Sequence, residues 1–146
     1  MRACERGFSL IEALAVAAVV AVLVIVAMPR MVVPETLQAQ VQARQLAADL
    51  RLAQRLAIAR RANYVLEFAP AGAPYTSYTV RSAGGAAEPD FPKIVPPEVG
   101  VTGTQQFTFR PDGSATADGT VTLTASGVSA TVQVTGATGR VAVSGP

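Results

Sequence analysis

Twenty-one residues from Phe8 to Met28 contain only two polar side chains, Ser9 and Glu12. A run of that length has few solutions in water. As a helix rising about 1.5 Å per residue it measures roughly 31 Å, the thickness of a bilayer's hydrocarbon core. Arg2 and Arg6 precede the run, and basic flanks hold a terminus in the cytoplasm. A cleaved secretory signal is the other reading, but its apolar region is shorter and ends at a small-residue site. Here the run ends in "MPRMVVPE". A membrane helix over 8–28 is therefore expected, followed by a kinking segment over 29–34, where Pro29 and Pro34 interrupt any helix.

Glu12 is the anomaly. A carboxylate deep in a bilayer costs about 2.5–3.5 kcal/mol, less near the interface, and acids that persist there usually meet a cation from elsewhere. The stretch around it, Gly7-Phe8-Ser9-Leu10-Ile11-Glu12 behind the short basic "MRACERG", resembles the class III signal of type IV pilins and type II secretion pseudopilins. The resemblance implies that a prepilin peptidase cuts between Gly7 and Phe8 and then N-methylates Phe8. It also implies that the new amine meets Glu12 of an adjacent subunit, making Glu12 an assembly residue, and that Pro29 loosens the helix. Cys4 would leave with the leader, residues 1–7.

Beyond the prolines, helical periodicity resumes at Glu35 and runs to about Arg61, giving an amphipathic helix over 35–62. Leu46, Leu50, Ala53 and Ala57 share one face, and Arg44, Arg51 and Arg55 the opposite one. With Arg60 and Arg61, residues 44–61 hold five arginines against one acid, Asp49. Two readings stand. The arginines form a solvated or subunit-packing face whose last members complement the helix dipole, or they form a phosphate-binding stripe for DNA. A net charge of only +2 and the lack of interleaved aromatics favour the first.

After Asn63 the period changes to two. Strands are expected at 64–69, 75–80, 105–109, 120–124, 130–134 and 140–144, with an edge strand near Lys93–Val95 inside a long loop over 82–104. "PDG", "ASG" and "ATG" supply the turns. The expected fold is α+β: a long N-terminal helix, transmembrane in its first half and amphipathic in its second, packed on an antiparallel sheet or sandwich over 63–146. "ARQLAADLRLAQRLAIARRANYVLEF" and the closing "VQVTGATGRVAV" resemble minor pseudopilins of the GspH/FimT type, with Gln54 standing where the pattern has Arg.

The chain has no His, which removes the Ser-His-Asp triad and the commonest general base. Asp112 and Asp118 in "RPDGSATADG" lack the alternating ligands of a calcium loop, and a type I turn explains Pro-Asp-Gly. No catalytic residue, metal or cofactor is expected. The resemblance implies a structural subunit of a type II secretion pseudopilus, anchored in the bacterial inner membrane with its β domain in the periplasm. Its expected partners are other pseudopilins, the prepilin peptidase, the inner-membrane assembly platform and exported proteins. A FimT-like minor pilin of a type IV pilus, with DNA as a partner, is the alternative.

Overall fold

The computed structural model describes residues 10–27 and 35–145. The chain divides into two units, Met1–Val33 and Pro34–Pro146. In the first lies α1 (Leu10–Ala27), an 18-residue helix. Its described side chains, 10–22, are all exposed, Leu10 and Ile11 at about four-fifths. A helix apolar on every side is stable only when lipid or other helices surround it. Eighteen residues rise about 27 Å, short of the roughly 30 Å core. Accordingly, no helix among the described residues is long and apolar enough to cross a membrane. The ends of the expected span, Phe8, Ser9 and Met28, lie outside those residues.

The second unit is built round α2 (Glu35–Arg60). Ala39, Ala43, Leu46, Ala47, Leu50, Ala53 and Ala57 are buried. They fall at helical spacing on one side, and five of the seven are alanines. Small side chains let the helix axis come close to the strands it covers. The helix ends one residue earlier than its periodicity suggests. Arg61 adopts φ +50°, its N–H donates to Ile58 O, and the N–H of Ala62 reaches back to Ala57 O. This is a Schellman cap with Arg in the left-handed position usually held by Gly.

Two four-stranded antiparallel sheets flank α2. The first, in the order β3-β2-β1-β5, uses β1 (Tyr64–Ala69), β2 (Ser77–Ser82), β3 (Lys93–Ile94) and β5 (Gln106–Phe109). The second, in the order β4-β6-β7-β8, uses β4 (Gly100–Gly103), β6 (Gly119–Ala125), β7 (Val128–Thr135) and β8 (Arg140–Ser144). Strand alternation places Leu66, Phe68, Val80, Phe107 and Phe109 of the first sheet, and Val121, Leu123, Val132 and Val134 of the second, in one continuous core with α2.

Two strand expectations need correction. β4 lies inside the stretch expected as loop over 82–104. It carries one buried apolar residue, Val101, between two glycines, so its own pattern is faint; pairing with β6, Val101 opposite Leu123, makes it a strand. β2 begins at Ser77 rather than Tyr75. Tyr75 instead donates its N–H to Val101 O at 2.9 Å and its hydroxyl to Gly103 O at 2.7 Å. Its backbone is thereby spent on β4 before β2 pairs with β1.

Candidate functional site

Of the residues expected at the cleavage and kink sites, Gly7, Phe8 and Pro29 lie outside the described residues. Glu12 is described. It stands in the first turn of α1, where a carboxylate suits the positive end of the helix dipole. It heads a shallow groove of ≈ 270 Å³ running down the helix past Ala15, Val16, Val19 and Val20. Their offsets of three, four, seven and eight make a single face. A carboxylate at the head of an apolar groove is an arrangement that favours a cation delivered by whatever fills the groove.

The five arginines are not brought together. Arg44, Arg51 and Arg55 share a side of α2, but Arg60 is five residues beyond Arg55 and so about 140° round the helix. Its guanidinium bonds Tyr64 Oη at 2.7 Å and pairs with Glu88, at 2.7 Å to Oε1 and 3.2 Å to Oε2. Arg51 donates to Val141 O at 3.1 Å, covering an outward carbonyl on β8, an edge strand of the second sheet. Arg61 caps the helix. Only Arg44 and Arg55 are exposed members of the shared face with no hydrogen bond or ion pair among the described residues.

Three contacts that residue patterns did not reveal anchor the β strands to α2. Asp49, 6% exposed, is the first. Its Oδ2 accepts the Tyr78 hydroxyl at 2.7 Å, and Lys93 Nζ lies 2.7 and 2.9 Å from its two oxygens. Burial, and then the hydrogen bond and charge of Asp49, push the Tyr78 phenol far above its ordinary value. Lys93 also sits 5.1 Å from the centre of the Phe91 ring. The only sequence hint was the single acid among the five arginines of 44–61, next to core positions. The second is Glu88, which takes the Tyr64 hydroxyl at 2.8 Å alongside Arg60. Burial and that carboxylate raise the Tyr64 phenol as well.

The third is Gln54. Its amide donates to Gly113 O at 2.7 Å and Thr138 O at 3.4 Å, tying the turns after β5 and β7 to the helix. Gln54, where the resemblance led arginine to be expected, thus fastens two turns to the helix. In the first of those turns Asp112 accepts the Ser114 hydroxyl and N–H, at 2.7 and 2.9 Å, which holds its carboxyl below the usual range. Asp118 accepts the Gly136 N–H. Asp112 thus serves its own turn and Asp118 ties its loop to the turn after β7, and no group of three or more metal-ligating side chains is gathered among the described residues.

Comparison with known proteins supplies the rest. Residues 42–139 match the profile of the family described as Type II transport protein GspH. Residues 2–28 match the prokaryotic N-terminal methylation motif. No curated protein matches the chain by sequence. Among solved structures, the type IV minor pilin FimU of Pseudomonas aeruginosa superposes with a TM-score of 0.61 at 15% identity, covering 73% of this chain and 87% of FimU. The minor pseudopilin EpsH from the Type 2 Secretion System of Vibrio cholerae gives 0.60 at 12% identity, covering 75% of this chain and 98% of EpsH. At such identities the likeness is one of fold.

Proposed function

Because the chain belongs to the GspH family of type II transport proteins, we propose that it is a structural minor pseudopilin of a type II secretion pseudopilus. The observation that carries this is the pairing of that family match over 42–139 with a methylation motif over 2–28. On this reading a prepilin peptidase in the inner membrane cuts between Gly7 and Phe8 and methylates Phe8. Residues 8–28 anchor the subunit until the assembly platform moves it into the filament. The basic leader keeps the N-terminus cytoplasmic, so the domain from Pro34 onward lies in the periplasm.

Glu12 then sets the register of assembly. In the low-dielectric interior of a helix bundle, a carboxylate without a counterion is strongly disfavoured, and one that meets the Phe8 amine of a neighbour is not. A subunit docked out of register leaves both charges unpaired. The exposed apolar surface of α1 and the groove below Glu12 support this. The protein acts as a building block, and the work comes from partners. Other pseudopilins and exported proteins are its expected contacts.

The test is deletion of the gene followed by quantitative mass spectrometry of the extracellular proteome. Exoproteins stranded in the periplasm support the pseudopilus. Unchanged secretion with loss of surface pili would overturn it in favour of a type IV pilus. Complementation with Glu12→Ala separates a filament subunit from a simple membrane-tethered domain. The variant inserts at least as well, since the acid only opposes insertion, yet it fails to restore secretion.

A further inference from the structure

The outward face of α2 carries a repeat. Leu37, Val41 and Leu52 are 45%, 49% and 40% exposed, and Ala48 and Ala59 between and beyond them are exposed too. Counted from Leu37, these residues fall at offsets 4, 11, 15 and 22, and Arg44 and Arg55 fill offsets 7 and 18. Every member thus recurs after eleven residues: Leu37 with Ala48 and Ala59, Val41 with Leu52, Arg44 with Arg55. Eleven residues make three turns of 3.67, close to the natural 3.6, so the stripe runs almost straight along the helix instead of winding round it. It extends for about 33 Å.

Solvent exposure gives no reason for such a stripe. The side of α2 that meets the sheets is the opposite one, and the exposed large aliphatic residues at 37, 41 and 52 would each be less exposed against a partner. The charges narrow the choice. Asp49, the one carboxylate among α2's described side chains, is turned into the domain. Arg51, at the margin, and Arg60, well round the helix from the seam, already hold partners within the chain. Arg44 and Arg55 do not, and they stand about 16 Å apart within an otherwise apolar seam.

We propose that this seam receives a straight α-helix of a neighbouring filament subunit, one whose own apolar stripe carries two carboxylates eleven residues apart opposite Arg44 and Arg55. An apolar stripe supplies the contact area. The paired charges set the partner's register and reject helices that are basic or uncharged at those positions. A nucleic acid fits poorly: of the three arginines on this side Arg51 already bonds Val141 O, and the two left, about 16 Å apart with aliphatic residues between them along the seam, match the close repeat of phosphates badly. The identity of the partner as a filament subunit rests on the proposed function; the seam itself does not.

The test uses the full-length chain in its own cells, with a photo-crosslinking benzoylphenylalanine at position 48, the seam's centre. A second copy carries it at position 133, exposed on the outer face of the second sheet. Mapped by mass spectrometry, the position 48 adduct is expected on an acid-bearing helix of another pilin-like subunit. The double charge reversal Arg44→Glu/Arg55→Glu is expected to reduce it about tenfold or more. Lysine at the mapped partner acids is expected to restore it. The reversed residues bond nothing within the described chain, so the domain should fold as before, and equal adducts from position 133 verify that. Adducts confined to lipid or a loop, or indifferent to the reversal, overturn the seam whatever secretion does. A helix adduct on a protein that is no filament subunit keeps the seam and overturns the reading of function beneath it.

Discussion

Replacing Asp49 with alanine removes the buried acceptor shared by Tyr78 and Lys93. The carboxylate is 8% exposed at the side chain and holds two donors, the Tyr78 hydroxyl and Lys93 Nζ. Its removal leaves the buried Tyr78 hydroxyl without an acceptor, at about 1–3 kcal/mol. Lys93, 27% exposed, can turn to water, so its lost ion pair is worth at most about 1 kcal/mol. The expected cost of Asp49→Ala is therefore about 3 kcal/mol. Tyr78→Phe deletes one donor and leaves the carboxylate its two contacts with Lys93, at about 1–1.5 kcal/mol. For a domain of this size each kcal/mol moves the melting temperature by about 4 °C, so shifts near 12 °C and 5 °C are expected. The assay is thermal unfolding of the detergent-solubilised chain, read by near-ultraviolet circular dichroism of its tyrosines. The double variant should fall short of the sum, because the two side chains share one bond. A loss below about 1 kcal/mol for Asp49→Ala, or strict additivity, would refute the coupling of Asp49 to Tyr78.

The same bond makes the domain sensitive to alkali. The folded Tyr78 phenol lies above its unfolded value of about 10, so its contribution is complete below pH 10 and is lost as pH rises beyond it. Chemical denaturation between pH 9 and about 12 should show stability falling, with a shallower slope in Tyr78→Phe; parallel slopes would contradict this. Gly139, at φ +64°, sits where a Cβ would overlap the carbonyl oxygen of Gly113. Gly139→Ala should cost about 2 kcal/mol or more in the same melt, by strain and by displacing the Gln54 amide from the turn. Arg61→Gly should act in the opposite sense, gaining about 1 kcal/mol by relieving a left-handed non-glycine residue at the helix cap. An unchanged or lower melting temperature would mean that the Arg61 side chain contributes more than its backbone strain takes away.

Period alone located most of the elements. The alternation of "YVLEFA" and "RVAVS" placed β1 and β8 at their observed bounds, and the apolar face of Leu46, Leu50, Ala53 and Ala57 proved buried. Those signals are local, because a buried face repeats with the geometry of its own backbone. β4 was missed for the same reason inverted. With a single buried residue between glycines it has no period, and it exists by virtue of β6, some twenty residues later. The arginines show the limit for sites. Five cations in eighteen residues look alike in sequence, yet one covers a sheet edge, one pairs with Glu88, one caps the helix, and two remain on an open seam.

The sequence by itself determined that this chain has an apolar segment needing lipid or other helices, an acid within it, and an amphipathic helix leading into strands. Each follows from composition and spacing along a stretch shorter than a single element pair. The tertiary structure alone decided that Asp49 is a buried acceptor for Tyr78 and Lys93, that Gln54 fastens two turns, and which arginines stay open to a partner. Such roles depend on groups 29 to 90 residues apart in the chain meeting within hydrogen-bond distance. Distance along the chain says nothing of that; the packing of α2 against two sheets brings those groups together.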